Sequence, residues 1–175
     1  MNESVVPFIT AAQIEQRLTE LAAEIDRDYA GKTITLIGTL KGAAIFLADL
    51  SRKITVPVEL DFMRTSSYGD ATRSSGTVNM DVTPSDDITG KHVILVEDII
   101  DAGHTIAHLR RFLASCNPAS LRVCALLDKP SRRENPDASY EYLGFSIEDH
   151  FVVGYGLDYA QRYRNLPYVG ILQLQ

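Results

Sequence analysis

The chain has 175 residues, of which 45% are hydrophobic and 23% are charged, and its formal net charge is −6 at pH 7. This length and composition are typical of an ordinary globular protein, and we expect a single domain over residues 1–175. The acidic balance argues against nonspecific nucleic-acid binding, because that binding needs an excess of Lys and Arg that releases counterions from phosphates. No apolar run approaches the roughly 18 residues of a membrane span, and the N-terminus lacks the features of a signal peptide, so we expect a cytoplasmic protein with no membrane partner.

The first part of the chain predicts a helix, a strand and a second helix. A capping box at Thr10 and Gln13 begins an amphipathic helix that is predicted to run to about residue 29. Residues 33–40 have the pattern of a buried strand, and a tight turn then leads into an apolar helix that ends at about residue 54. Strand, turn and helix form a first α/β unit.

The rest of the chain continues this alternation. Residues 65–76 are rich in Ser, Thr, Gly and Asp and predict a long, mobile loop, whereas residues 105–115 predict a helix. Strand patterns occur at residues 58–62, 77–82, 93–96 and 121–127, near residue 142, and at residues 152–155 and 168–172. Strands that alternate with helices predict an α/β fold with a mostly parallel sheet covered on both faces.

Residues 93–105 most directly indicate a binding site. An aliphatic strand pattern runs into Glu97, Asp98 and Asp101, and Gly103 then opens a helix. Ligands of α/β sheets bind outside the carboxyl ends of strands, and the backbone N–H groups of such a turn form a phosphate cradle. Glu97 and Asp98 only accept hydrogen bonds, which suits sugar hydroxyls beside that phosphate, directly or through a metal. These residues therefore fit a binding site for a phosphorylated ribose better than the alternative, a solvated strand end whose acidic residues only cap a helix.

The run VEDIIDAGHT at residues 96–105 resembles the phosphoribosyl-pyrophosphate signature of type I phosphoribosyltransferases, and its acidic pair followed by two isoleucines resembles their hypoxanthine-guanine branch. Ala102 stands where this family usually has Thr or Ser, which removes a hydroxyl that could contact the phosphate. Further segments follow the order of that branch, at residues 40–42, 67–68, 127–129 and 151–158, with Arg164 beyond them. The resemblance implies a central, mostly parallel sheet flanked by helices, a mobile active-site loop, and a small hood formed by the terminal segments.

The resemblance also implies a reaction, the transfer of 5-phosphoribose from its 1-pyrophosphate to N9 of hypoxanthine and guanine. Asp101 would be the catalytic carboxylate that handles a proton near the purine N7, a role that calls for partial desolvation. Glu97 and Asp98 would hold the ribose hydroxyls. The residues implied to hold the 5′-phosphate are Asp101, Ala102, Gly103, His104 and Thr105.

Pyrophosphate leaves with a high negative charge, and the resemblance implies Mg²⁺ as its counterion. The implied metal ligands are Glu97, Asp98 and Asp158, and Arg164 is the implied phosphate partner. In the family's pyrophosphate loop a non-proline cis peptide can redirect backbone N–H groups toward the leaving group. The residues that match this loop are Leu40, Lys41 and Gly42.

The purine is implied to meet three residues from two later segments. Lys129 would contact its O6, Phe151 would stack on its ring, and the Val152 backbone would meet its pairing edge. Ser67 and Tyr68, in the predicted loop, would close over the reacting centre and exclude water.

Two other functions remain open at this point. One is a regulator of the same fold that binds RNA or DNA and uses the nucleotide pocket as a sensor, which the acidic balance disfavours. The other is a related transferase that acts on xanthine or on a pyrimidine. The resemblance further implies small-molecule substrates and a homodimer or homotetramer.

Overall fold

Two β-sheets and three α-helices make up the computed structural model, which describes residues 3–66, 79–82 and 84–174. None of the helices in these ranges is long and apolar enough to cross a membrane. The elements, in chain order, are β1 (Glu3–Ile9), α1 (Ala11–Asp28), β2 (Ile34–Leu40), α2 (Ala44–Ser51), β3 (Val58–Ser66), β4 (Asn79–Val82), β5 (His92–Ile100), α3 (His104–Ser115), β6 (Ser120–Asp128), a 3₁₀ turn (Pro130–Arg132), β7 (Tyr142–Ser146), β8 (Val152–Val153) and β9 (Val169–Leu174).

The larger sheet has, within the described residues, six strands in the order β4-β3-β2-β5-β6-β7. Strands β3, β2, β5, β6 and β7 pair in parallel, and β4 is antiparallel to β3. The predicted α/β fold with a mostly parallel sheet is therefore confirmed. Because the parallel strands point the same way, their carboxyl ends lie at one edge of the sheet.

Both faces of this sheet are covered by helices, as predicted. Along β5, Ile94 and Val96 pack into a core with α1 and α2, whereas Val93 and Leu95 pack into a second core with α3. All four side chains are fully buried. The continuous aliphatic run in this strand follows from burial on two faces rather than one.

The smaller sheet is antiparallel, with the order β1-β9-β8. It joins residues 3–9, for which no strand was predicted, to two segments near the other end of the chain. These terminal segments are the ones from which the resemblance implied a hood. Pro7 lies on the edge strand β1, where a missing N–H group is tolerated. A single domain over residues 1–175 stays a prediction.

Two predicted boundaries differ from the structure. Strand β5 ends at Ile100 rather than at residue 96, because β6 continues to pair with it as far as Asp128. Residues 65–66 belong to β3 rather than to the predicted loop, and the rest of that loop, residues 67–76, lies outside the described residues. The acidic pair is thus part of a strand and not of the turn after it.

The capping box at the start of α1 is confirmed. The Gln13 N–H donates to Thr10 Oγ1 at 3.2 Å, and the Thr10 N–H donates to Gln13 Oε1 at 2.8 Å. These bonds satisfy N–H groups that have no acceptor within the helix. The helix buries Ile14, Leu18 and Leu21 against the sheet.

Replacing Thr10 by Ala is expected to lower the free energy of unfolding by about 1 kcal/mol, because the first turn of α1 loses its side-chain acceptor. Urea denaturation followed by circular dichroism measures the change. Thr19→Ala is the matched control, since Thr19 is exposed in the same helix and its hydroxyl donates only to the Glu15 carbonyl. Equal losses in the two variants would contradict a capping role for Thr10.

Candidate active site

A cleft of about 760 Å³ lies outside the carboxyl ends of the parallel strands. It is the region where α/β sheets bind ligands, because loops from several strands diverge there. All the residues predicted to hold the 5′-phosphate, the ribose and the pyrophosphate line it. The lining consists of residues 39–42 and 97–106, together with Arg64, Asp158, Gln161 and Arg164.

The acidic pair lies where β5 extends past its neighbour. Strand β5 pairs with β2 only as far as Val96, but it pairs with β6 as far as Ile100. Glu97 is 6% exposed, and its Oε2 accepts a hydrogen bond of 2.6 Å from the Thr39 hydroxyl at the end of β2. The acidic pair therefore lies on the part of β5 that pairs with β6 but no longer with β2, and Glu97 is held by the hydrogen bond from Thr39.

The pKa values of both carboxyl groups are raised, so their ionised forms are disfavoured. Burial, and then repulsion from Asp98, raises the pKa of Glu97, although the Thr39 hydrogen bond acts against this. Burial likewise raises the pKa of Asp98, against the opposing effects of backbone N–H groups and of Arg164. Among the described residues, no group hydrogen-bonds to the buried Oε1 of Glu97. Hydroxyl donors or a cation placed beside the pair stabilise its ionised form and therefore act against this effect of burial.

The turn after β5 is built around Gly103. This residue has φ of +88°, and a Cβ atom there would overlap the side chain of Ala138. Helix α3 then begins at His104, and Thr105 lies exposed in its first turn. The first N–H groups of a helix have no intrahelical acceptor and attract anions. The turn thus has the geometry of the predicted phosphate cradle.

The loop after β2 crosses the same cleft. Its peptide bond between Leu40 and Lys41 is cis. Gly42 lies so close to Asp98 that a Cβ atom would overlap that carboxylate. The Lys41 ammonium donates to Gln161 Oε1 at 3.1 Å, which joins the loop to the segment that follows β8.

Asp158 and Arg164 form an ion pair at the far side of the cleft. Arg164 Nη2 lies 2.7 Å from Asp158 Oδ1, and Arg164 Nη1 donates to the Gly156 carbonyl at 2.6 Å. In the described ranges, no three or more His, Cys, Asp or Glu side chains are arranged to hold a metal ion. The predicted ligands Glu97, Asp98 and Asp158 therefore do not form a metal cage by themselves. Asp158 is instead paired with Arg164.

Asp101, the predicted catalytic carboxylate, is more open than that role suggests. Its side chain is 46% exposed, and its Oδ1 accepts a hydrogen bond of 3.1 Å from Arg132 Nε. Asp101 lies between the acidic pair and the Gly103 turn, as the signature requires.

The three residues predicted to meet the purine are not part of the cleft lining. Lys129 is 7% exposed and its ammonium donates to Asp149 Oδ1 at 3.2 Å. Phe151 is 56% exposed and meets the Tyr159 ring edge-on, with centroids 5.7 Å apart. Val152 is buried in β8. Lys129 still adjoins the Asp101 turn, because its N–H donates to the Ile100 carbonyl at 3.0 Å.

Three polar residues of the cleft lining were missed by the sequence analysis, and two predicted site residues are not described. Thr39 and Arg64 lie near the carboxyl ends of β2 and β3, so the rule that identified Glu97 could have identified them too. Gln161 has no such signal, because it reaches Lys41 only through the fold. Ser67 and Tyr68 lie outside the described residues.

The chain is similar to known proteins over nearly its whole length. A model of the phosphoribosyl transferase domain matches residues 9–160. The hypoxanthine phosphoribosyltransferase of Salmonella typhimurium is 49% identical over 172 residues, which cover 97% of this chain and 96% of that protein. The hypoxanthine-guanine phosphoribosyltransferase of Mycobacterium tuberculosis is 47% identical over 171 residues, which cover 94% of this chain and 84% of that protein.

Solved structures agree with these matches. A crystal structure of a hypoxanthine-guanine phosphoribosyltransferase from Bacillus anthracis has a TM-score of 0.91 and 41% identity, and the match covers 99% of this chain and 100% of that one. The shared fold is that of type I phosphoribosyltransferases. With its acidic pair and glycine turn on one strand-end cleft, and with these matches over most of its length, the chain belongs to the phosphoribosyltransferase family.

Proposed function

We propose that this protein is a purine salvage transferase that moves 5-phosphoribose from phosphoribosyl pyrophosphate to N9 of hypoxanthine, and of guanine, to give IMP or GMP and pyrophosphate. The observation that carries the proposal is that Glu97 and Asp98 adjoin the Gly103 turn on one cleft. Relatives with 47–49% identity bear the names of these two activities. The substrates are small molecules that fit a cleft of about 760 Å³.

The 5′-phosphate binds at the start of α3. The backbone N–H groups of residues 101–105 and the Thr105 hydroxyl donate to its oxygens, and the helix N-terminus adds a favourable potential. Ala102 contributes through its backbone alone. This contact holds one end of the sugar, so that C1 has a defined position relative to the base.

The ribose hydroxyls bind to the acidic pair. The buried Oε1 of Glu97 has no hydrogen-bond partner among the described residues, and a sugar hydroxyl supplies one. Asp98 lies beside Gly42 of the pyrophosphate loop, so the same carboxylates adjoin the leaving group. In their ionised form the two carboxylates also stabilise positive charge that develops on the ribose in the transition state.

Transfer breaks the bond from C1 to the pyrophosphate oxygen and forms a bond from C1 to N9, while the base gives up a proton. Asp101 handles that proton at N7. Lys129 donates to O6, which selects a 6-oxopurine because an amino group at that position does not accept this bond. Phe151 and the Val152 backbone hold the base.

We propose that Mg²⁺ is the cofactor. Glu97, Asp98 and Asp158 present carboxylate oxygens to one cleft, which fits a cation that takes few protein ligands and completes its shell with substrate oxygens. When bound, it neutralises part of the charge on pyrophosphate. Lys41 and Arg164 add fixed positive charge on the same side.

We further propose a homodimer or homotetramer in the cytoplasm. Several apolar side chains are exposed on the described surface, with Leu60 at 50% and Leu174 at 54%, and burial against a second copy would remove them from water. Analytical ultracentrifugation distinguishes the monomer from these assemblies.

Pyrophosphate release with Mg²⁺ and phosphoribosyl pyrophosphate should be fastest with hypoxanthine and guanine, slower with xanthine and slowest with adenine, because adenine lacks the O6 acceptor for Lys129. Steady-state assays with the four purines measure this order. No turnover with any of them, together with salt-sensitive retention of RNA or DNA, would favour the nucleic-acid regulator instead.

Replacing Asp101 by Asn is expected to lower kcat by about 100-fold or more, because proton transfer by a positioned group contributes this much, while the KM for phosphoribosyl pyrophosphate changes little. Initial-rate kinetics with hypoxanthine measure both constants. Asp137→Asn, at an exposed position of a nearby loop, is the matched control and should behave like the wild type. Comparable effects of Asp101→Asn on kcat and on the KM would argue against a proton-handling role.

Replacing Glu97 by Gln is expected to weaken binding of phosphoribosyl pyrophosphate and to change how stability depends on pH. Burial, followed by repulsion from Asp98, raises the pKa of Glu97 above its ordinary value of 4.5, so folding favours the protonated form. The stability due to this group is therefore fully present below pH 4.5 and is lost as pH rises through the raised pKa. Gln does not ionise, so the variant should lose less stability above pH 4.5.

Urea denaturation without substrates, at several pH values on both sides of neutrality, measures this difference. Glu148→Gln, at a side chain that is 89% exposed, is the control and should keep the pH dependence of the wild type. An unchanged pH dependence in Glu97→Gln would show that the carboxyl group ionises as freely in the folded chain as in the unfolded one.

A further inference from the structure

Four charges of alternating sign lie in a row in the segments that follow β5, β6 and β7. Arg132 Nε lies 3.1 Å from Asp101 Oδ1, and Arg132 Nη1 lies 3.8 Å from Asp149 Oδ2. The other oxygen of Asp149, Oδ1, lies 3.2 Å from Lys129 Nζ. The row therefore joins the proton-handling carboxylate to the lysine assigned to the purine O6, through two residues that have no role so far.

Backbone hydrogen bonds hold this row in place from both sides. The Lys129 N–H donates to the Ile100 carbonyl, and the Arg132 N–H donates to the Lys129 carbonyl, each at 3.0 Å. The Ala102 carbonyl accepts from the N–H groups of Glu134 and Asn135 at 3.0 and 3.1 Å. The 3₁₀ turn that carries Arg132 is thus tied to the turn that carries Asp101.

We propose that Arg132 is a positioning residue for the transfer reaction, one that orients the Asp101 carboxylate toward the base and, through Asp149, aligns it with Lys129. This inference rests on the proposed function. Arg132 contacts only one oxygen of Asp101, Oδ1, so the other oxygen stays available to N7 of the purine. Asp101 at N7 and Lys129 at O6, the two groups that recognise the base, are then connected by one chain of ion pairs.

A guanidinium suits this role better than an ammonium. Its nitrogen atoms point in fixed directions, so Arg132 donates a hydrogen bond to Asp101 through Nε while Nη1 stays in the longer ion-pair contact with Asp149. A lysine at this position keeps the charge and can pair with one carboxylate, but it does not hold both in a fixed geometry. Lysine is therefore expected to preserve part of the function.

The competing interpretation is that these are ordinary surface ion pairs. The side chains of Arg132, Asp101 and Asp149 are 51%, 46% and 48% exposed, and pairs with such exposure contribute little to stability. Loss of Arg132 should therefore leave the melting temperature nearly unchanged under both interpretations. A kinetic effect without a stability effect distinguishes positioning from a structural contact.

The test is steady-state kinetics of hypoxanthine transfer by Arg132→Gln and Arg132→Lys in the full chain. We expect Arg132→Gln to lower kcat by about tenfold, because a misplaced reacting group slows the reaction, with the KM for phosphoribosyl pyrophosphate within about twofold of the wild type. Arg132→Lys should restore kcat to within about threefold of the wild type, since the pair with Asp101 remains. Arg52→Gln, which removes an exposed pair with Asp49, is the control.

The double variant Asp101→Asn with Arg132→Gln gives the sharpest result. If Arg132 acts through Asp101, its loss should lower kcat no further once that carboxylate is absent. Full additivity in the double variant would overturn the proposal, as would an unchanged kcat in Arg132→Gln or a Lys variant as slow as the Gln variant. An inactive wild type would refute the proposed function itself, whereas an active wild type matched by Arg132→Gln would refute only this inference.

Discussion

The site depends on the unequal pairing of β5 with its two neighbours. Because β6 accompanies β5 to Ile100 while β2 leaves it after Val96, Glu97 stays within the sheet although space opens beside it. A carboxylate on a strand has a backbone held by hydrogen bonds on one side, so its position is better defined than in a turn. Burial there raises the pKa of Glu97 and of Asp98, so the ionised form of the pair is favoured only when hydrogen-bond donors or a cation lie beside it.

The small antiparallel sheet matters because the segment between its strands β8 and β9 reaches the cleft. Gly156 has φ of +103° and packs so closely on the Gly42 carbonyl that a Cβ atom would overlap it. This contact brings Arg164 beside the acidic pair, and Gln161 beside Lys41. The absence of a side chain at Gly156 is therefore what allows its segment to pack against the loop after β2, although the two are more than a hundred residues apart in the sequence.

Features that depend only on residues close together in the sequence were predicted well from local patterns. The capping box at Thr10, the buried strand before Lys41 and the turn at Gly103 follow from residue type and spacing, and the structure has them all. Strand β1 was missed because Pro7 and its flanking residues have no clear alternation, and it forms by pairing with β9 at the other end of the chain. The end of β5 was placed too early for a similar reason, since β6 sets it.

The sequence by itself determined the chemistry of this protein. Three carboxylates and a glycine turn after an aliphatic strand indicate a sugar phosphate, because hydrogen-bonding character and helix dipoles are properties of local segments. Only the tertiary structure decided which distant groups meet them. The contacts of Thr39 with Glu97, of Lys41 with Gln161, and of Arg132 with Asp101 depend on strand order and register, which bring residues 31 to 120 positions apart within 3.1 Å or less. Such distances are set by the packing of whole elements, and no local pattern encodes them.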